Sequence, residues 1–225
     1  MDIRYLGHSA FELKANGATI LIDPFLTGNP KAAAAAEDLD ADAILVTHGH
    51  SDHLGDAVDI ARRTGAPVVA IVELAGEIAA EGVVTHDPNL GGTVNFDWGW
   101  AKFVPAWHTS TTPKGTINTP AGIVVGIGER TVYHLGDTAL FSDLALVNGR
   151  PAEIDLAIVP IGGHYTMDRH DAVEACRLVG APRVIPCHYN TFPPIETDPH
   201  AFAADVAADG VAQVTVLDPG ETCTL

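Results

Sequence analysis

Cysteine is scarce in this chain: three residues in 225, at Cys176, Cys187 and Cys223. The number is odd and no CxxC spacing occurs, which argues against a disulfide framework and against a thiolate zinc site. Basic residues are scarce too, 12 Lys and Arg against 29 Asp and Glu, for a formal net charge of −17. Nucleic acid is held by clustered cations that replace counterions, and an anionic membrane surface asks for the same, so neither partner is expected. The acidity reads as a solvated surface. No apolar run is long enough to span a bilayer, and Met1-Asp2-Ile3-Arg4-Tyr5 shows no basic leader with an apolar stretch behind it, so a cytoplasmic protein is expected. Nor is there a linker or a composition break. At 47% hydrophobic, residues 1–225 read as one domain with a real core.

What the chain does have is one dense cluster of metal-binding side chains, Thr47-His48-Gly49-His50-Ser51-Asp52-His53. It follows the apolar run Ala43-Ile44-Leu45-Val46 and precedes a helical pattern. A strand end feeding a tight turn fixes the turn and exposes its side chains, which is where α/β proteins place sites. Imidazoles at alternate positions, His48 and His50, can face one cation, while Asp52 and His53, further round the turn, can face a second.

The remaining pattern supplies partners. Ile3 to Leu13 and Thr19 to Ile22 read as two strands around Ala15-Asn16-Gly17. The first carries Gly7-His8-Ser9, and His8 alone is a weak candidate. The second ends at Asp23-Pro24, where a carboxylate either orients a metal-binding His or makes an Asx turn. Lys31 to Ala36 is Ala-rich and helix-favouring. Asp52 to Thr64 reads as a helix ended by Gly65, Val68 to Val72 as a buried strand, and Glu73 to Glu81 as a short helix. Thr93 to Phe96 and Trp100 to Val104 pair as strands and deliver His108 to a Thr-, Pro- and Gly-rich loop at 109–120. Gly122 to Ile127 and Thr131 to Leu135 form a hairpin ending in Gly136-Asp137-Thr138. Asp143 to Val147 is read as part of a short helix. Asp155 to Pro160 delivers Gly162-Gly163-His164-Tyr165, and Arg183 to Pro186 delivers Cys187-His188-Tyr189-Asn190. Helices are expected at Asp168 to Val179 and Pro199 to Ala208, and a last strand at Gln213 to Leu217. Hairpins mixed with strand–helix alternation indicate layered α and β structure rather than a plain parallel sheet.

The strong candidates thus all lie at the C-terminal ends of strands. A two-metal hydrolytic site needs roughly six or seven N/O ligands around ions about 3.5–4 Å apart. Taking His48, His50 and His108 for one metal leaves Asp52, His53 and His188 for the other. Asp137 is then the natural bridge, since a carboxylate can span two cations.

These residues carry a resemblance. His48-x-His50-x-Asp52-His53, followed by His108, Asp137 and His188, resembles the signature of the metallo-β-lactamase fold superfamily, and Asp23 matches its strand-terminal Asp. Gly7-His8-Ser9-Ala10-Phe11, Asp23-Pro24-Phe25-Leu26-Thr27-Gly28-Asn29-Pro30, Pro160-Ile161-Gly162-Gly163 and His188-Tyr189-Asn190-Thr191-Phe192-Pro193 are similar to one branch. That branch comprises poorly characterised metal-dependent hydrolases related to L-ascorbate-6-phosphate lactonases. The resemblance implies a four-layer αββα sandwich, with a dinuclear site at the rim between the sheets and His8 near it. His164 follows a strand and could reach the substrate. Tyr189 and Asn190 adjoin a ligand and either hydrogen-bond a substrate oxygen or shape their loop. His134 points to the core or to support of the site, and His86, His170 and His200 to surface or structural roles.

The expected activity is metal-dependent hydrolysis. Two divalent cations (Zn first, Mn or Fe as alternatives) lower the pKa of a shared water toward about 7, and the resulting hydroxide attacks an ester-type bond. Asp52 and Asp137 hold it in line, and water or His164 protonates the leaving oxygen. The resemblance favours a small lactone or a phosphorylated-sugar ester as substrate. A phosphodiesterase of the same fold and a non-catalytic metal-binding protein are the alternatives. Lys102 and Lys114 flank His108 and Arg169 follows His164 in sequence, few for a heavily charged phosphate and too few for a nuclease platform. Homo-oligomerisation is left open.

Overall fold

The computed structural model describes residues 1–225. Two seven-stranded sheets face each other, and helices cover their outer faces. The first sheet contains β1 (Asp2–Gly7), β2 (Ala10–Ala15), β3 (Ala18–Ile22), β4 (Ala43–Leu45), β5 (Val68–Val69), β6 (Thr85–His86) and β14 (Thr222–Thr224), in the order β14-β1-β2-β3-β4-β5-β6. The second contains β7 (Thr93–Phe96), β8 (Gly99–Pro105), β9 (Ala121–Ile127), β10 (Arg130–His134), β11 (Leu156–Pro160), β12 (Arg183–Cys187) and β13 (Gln213–Val214), in the order β13-β12-β11-β10-β9-β8-β7. Both follow one plan. An antiparallel meander, β1 to β3 or β7 to β10, passes into parallel strands, β4 to β6 or β11 to β13.

Burial explains the continuous apolar strands. Successive side chains point to opposite faces of a sheet, and here both faces are covered. Ala43 and Leu45 of β4 lie between the sheets with Phe11, Phe103 and Ile158. Ile44 and Val46 face α2 (Ala57–Thr64) and α3 (Val72–Ala79). On the other side Ala157 and Val159 of β11 pack under α4 (Arg169–Val179) and α5 (Pro199–Ala208). The result is the αββα sandwich. Each large apolar side chain fully buried in these layers contributes about 1.5–3 kcal/mol before chain entropy is counted. No helix is long and apolar enough to cross a membrane.

Four local expectations are corrected. Ile3 to Leu13 is two strands, because the chain reverses at Gly7-His8-Ser9. Gly7 and His8 both take the left-handed region, at φ 107° and 59°. A Cβ at Gly7 would overlap the Lys31 carbonyl oxygen, so that turn is closed against the 31–33 segment. Lys31 to Ala36 is not a helix; one 3-10 turn occurs at Ala36–Asp38. Six residues after a proline are too few to nucleate a helix alone, and the Ala33 amide donates instead to the Leu6 carbonyl. Asp52 to Thr64 is two helices, α1 (Ser51–Leu54) and α2, broken at Gly55-Asp56 where the backbone passes against Pro24 and Phe25. The strand at Val68 stops after two residues, and α3 starts at Val72.

The break has a function in the fold. The Asp56 carboxylate accepts from the Leu26 and Thr27 amides at 2.9 and 2.8 Å, and its own amide donates to the Pro24 carbonyl. Asp56→Ala should free the 24–27 loop and cost about 1–3 kcal/mol of stability, from two stranded amides. Urea unfolding of the variant against the parent measures it.

Candidate metal centre

The turn after β4 is built from behind. The Asp23 carboxylate accepts from the Thr47 amide (2.8 Å) and the Thr47 hydroxyl (2.6 Å), and its Oδ2 lies 2.7 Å from His53 Nδ1. A carboxylate only accepts, so His53 carries its proton on Nδ1 and turns Nε2 forward. The Thr47 hydroxyl spends its proton on Asp23 and therefore accepts from His48 Nδ1, 3.0 Å away. His48 likewise presents Nε2. One buried carboxylate thus sets two tautomers, the support that metal-binding imidazoles require. From the other side, the Gly49 amide donates to Ser110 Oγ (2.9 Å) and Asn118 Oδ1 (3.0 Å) of the long loop. A Cβ at Gly49 would strike the Asn118 amide at 2.6 Å, which explains the glycine between the two histidines.

The later strand ends converge on this turn. Ligand-type atoms of His48, His50 and His108 lie within 4.8 Å of one another. So do those of Asp52, His53, His188 and His8, and those of His48, His53 and Asp137. Asp137 reaches members of both sets: Oδ1 is 3.3 Å from His53 Nε2, while Oδ2 is 3.1 Å from His188 Nε2, 3.5 Å from His108 Nε2 and 4.0 Å from His48 Nε2. The His188 amide donates to the His8 carbonyl, joining the two sheets at the site. His8, Asp23 and His188 hold φ of 59°, 45° and 54°, a left-handed strain that the surrounding contacts enforce.

Electrostatics follow from burial. It lowers the pKa of His48 well below the ordinary value and also lowers those of His50 and His108, so these rings are neutral. For His53 burial acts the same way, but the adjoining Asp137 and Asp23 outweigh it and raise the pKa well above the ordinary value. Asp137 is buried, which favours its neutral form, yet His188 and His53 hold it well below the usual carboxylate range. Asp52 is also lowered; burial opposes this, and the hydrogen bond from His8 leads the lowering.

The donor set suits divalent ions. Five imidazoles and two carboxylates, with no thiolate, match Zn, Mn or Fe. Buried His53 Nε2 and Asp137 Oδ1 have no hydrogen-bond partner although polar atoms in interiors are normally paired, and a cation between them satisfies both. Beside the cluster opens a cavity of about 430 Å³, whose floor includes His50, Asp52, His108 and His188.

Other candidates fall differently. His8 is fully buried; its Nε2 donates to Asp52 Oδ2 at 3.2 Å and its Nδ1 faces Thr191 Oγ1 at 2.9 Å. His164 does not line the cavity. It sits exposed on the tight turn at 163–166, its ring edge-on to Tyr165 at 4.4 Å, and the turn sends Tyr165 into the cavity wall instead. Tyr189 and Asn190 also stay outside and border a separate crevice with Lys31 and Asp218. Asn190 shapes its loop, accepting from the Thr197 amide at 2.8 Å. His134 is a core tie: Nε2 donates to the Ser9 carbonyl at 3.1 Å, and Nδ1 accepts from the Gly136 amide at 3.0 Å, which steadies the turn that carries Asp137. Thr47, Ser110, Asn118, Thr191, Phe25 and Phe192 were not singled out from the sequence. Adjacency of Phe25 to Asp23-Pro24, and of Thr191 and Phe192 to His188, was the available signal.

Residues 2–188 match the family model described as the beta-lactamase superfamily domain. The chain belongs to that superfamily. Within it, the chain falls in the UPF0173 family of metal-dependent hydrolases. It is 47% identical over 226 residues to a UPF0173 metal-dependent hydrolase of Thermus thermophilus, covering 100% of this chain and 99% of that one. It is 47% identical over 231 residues to one from Bacillus cereus, with both chains fully covered. Among solved structures it is similar to Igni18, a metallo hydrolase from the hyperthermophilic archaeon Ignicoccus hospitalis, at 38% identity and a TM-score of 0.91, covering 100% of this chain and 97% of that one.

One glycine of this UPF0173 member tests the packing of the site. A Cβ at Gly162 would overlap the His188 carbonyl oxygen and lie 2.9 Å from Ile195 Cβ. Gly162→Ala should push the 188–195 loop outward and weaken metal binding at the His188 side about tenfold or more, from imidazole misplacement. Competition with a chromophoric chelator reads this directly.

Proposed function

We propose that this chain is a dinuclear metal-dependent hydrolase of ester-type bonds, acting on a small lactone or a phosphorylated-sugar ester. The observation that carries the proposal is the convergence of two ligand sets on the buried Asp137, beside an open cavity that His50, Asp52, His108 and His188 line. His48, His50 and His108 would hold one ion, Asp52, His53 and His188 the other, and Asp137 both. Two divalent ions in such a setting supply a Lewis acid and a water that ionises near neutral pH. Zn is the first choice, with Mn or Fe as alternatives.

The protein's own groups do the positioning. Asp23 and Thr47 fix the tautomers of His53 and His48, so both present a lone pair without reorganisation. Asp52 lines the cavity as an ionised carboxylate, with one oxygen engaged by His8, which would hold it in place as a ligand of the second ion. Because His164 stands outside the cavity, protonation of the leaving oxygen is assigned to water or the Tyr165 phenol. A purely structural metal site would be closed to substrate. The long loop pins Gly49 and contributes Thr109 to the wall, rather than plugging the cavity. Three free cysteines suit a reducing, cytoplasmic setting.

The test is turnover of a panel of lactones, carboxylic esters, phosphomonoesters and phosphodiesters by the metal-loaded chain. The expected result is hydrolysis of at least one ester class, lost in His108→Ala. A fully loaded wild type that hydrolyses nothing in the panel, or an unimpaired His108→Ala, would sink the proposal.

A further inference from the structure

The wall of the cavity discriminates among the substrates that such a site could take. None of the twelve Lys and Arg residues lines it. Three that lie close in sequence to His108 and His164 are committed elsewhere: Lys102 donates to the Arg150 carbonyl at 3.1 Å, Lys114 pairs with Glu81, and Arg169 lies 3.6 Å from Asp205. The first turn of α1 meets the cavity with a carboxylate already in it, Asp52. The wall's other polar groups are the neutral hydroxyls of Ser51, Thr109 and Tyr165. A phosphate or second carboxylate bound away from the floor would leave water for a wall with no cation to receive it, in a chain of net charge −17.

Aromatic groups dominate instead. Phe25 comes from the first sheet's side, just after β3, and Phe192 from the second sheet's side, just after β12. Both pack edge-on against the His8 ring, with centroids at 5.8 and 5.6 Å. His8 is fixed in turn by Asp52 and Thr191. The two phenyl rings are therefore held by the buried scaffold of the site, while Tyr165, at 53% exposed, flanks the mouth. A volume of about 430 Å³ is toward the lower end of the roughly 300–1,000 Å³ usual for small-molecule pockets.

From this wall we infer that the substrate is an uncharged ester or lactone with an apolar acyl part, aryl or short-chain alkyl, seated between Phe25 and Phe192. The inference rests on the hydrolase reading above and narrows it away from phosphorylated sugars. In the reaction the oxygen of water bonds to the carbonyl carbon and the bond from that carbon to the leaving oxygen breaks. The leaving oxygen takes one proton, and the acid product releases the other.

Binding of hydroxamates to the metal-loaded protein tests the wall apart from catalysis, because the head group is constant. Benzohydroxamate should bind at least about tenfold more tightly than acetohydroxamate, the worth of one buried ring. A 4-phosphono-benzohydroxamate should lose that advantage. Phe25→Ala and Phe192→Ala should each erase most of the aryl preference while still carrying two ions per chain. If either alanine variant fails to fold, its leucine counterpart should retain alkyl binding and lose part of the aryl preference. Equal affinity for benzo- and acetohydroxamate, or tighter binding of the phosphono compound, overturns the inference. Aryl preference in a loaded protein that hydrolyses no ester overturns only the catalytic reading; a wild type that takes up no metal overturns both.

Discussion

Asp137→Asn should lower ester turnover by about a thousandfold or more, equivalent to roughly 4 kcal/mol of transition-state stabilisation. The substitution keeps the shape and removes the charge. It acts on both ligand sets at once, since the two oxygens of Asp137 lie within 3.1–3.5 Å of His188, His108 and His53. An amide nitrogen turned toward any of these positions faces imidazole lone pairs and repels a cation. In the proposed arrangement no other side chain is shared between the ions, so nothing compensates. Metal content should fall along with rate, from two ions per chain to one or none. Asp52→Asn should be milder, because Asp52 belongs to one set only and its side chain is 28% exposed. A variant series read by rate and by metal analysis separates loss of the ion from loss of rate with the ion retained. Near-parental turnover in Asp137→Asn would remove the bridging role.

The second large effect is on stability. Removing the ions with a chelator should lower the unfolding temperature by on the order of 10 °C. Ligand at a thousandfold over its Kd adds about 4 kcal/mol, and for a chain of this size each kcal/mol moves the midpoint about 2–4 °C. The metal-free centre also carries a pH signature. His8 is held at about 4 by burial, against an ordinary 6.5. Between those values the unfolded chain binds more protons than the folded one, so stability falls as pH is lowered through that window. His48 is lowered as well and acts in the same sense. His53 is raised, so its contribution is present at low pH and lost as pH rises through its folded pKa. An ion that takes the place of the His53 proton removes this alkaline loss, and metal affinity should therefore rise with pH. Scanning calorimetry of loaded and stripped protein from pH 5 to 9, with zinc competition at each pH, follows both effects. Identical midpoints with and without metal would mean that the cluster is not a binding centre.

Much of the site was legible because its signal is local. Three histidines and an aspartate within six residues stand out at once, and apolar runs that end in Asp23, His108, Asp137 and His188 mark strand termini without any long-range knowledge. The sandwich was legible for a related reason: strands covered on both faces are apolar throughout, as Ala43–Leu45 and Leu156–Pro160 are. Directions of side chains in tight turns were not legible. One residue of offset separates His164, which is exposed, from Tyr165, which reaches the cavity, and that offset depends on the left-handed φ of 52° at His164. The same holds at His188, where Thr191 and Phe192 face the site and Tyr189 and Asn190 do not. His8 is a weak candidate on sequence alone because the reversal at Gly7 depends on a contact with Lys31, distant in sequence. The edge strands β6 and β14 are two and three residues long, too short to show a period.

The central claim is that one carboxylate, Asp137, joins two ion-binding sets into a single hydrolytic centre. Metal stoichiometry tests it most directly. The chain is stripped, reloaded with zinc, desalted and measured for zinc and protein by mass spectrometry of the same sample. Two ions per chain at saturation, falling to one or none in Asp137→Asn, is the predicted result. A wild-type plateau at one ion per chain would contradict the account.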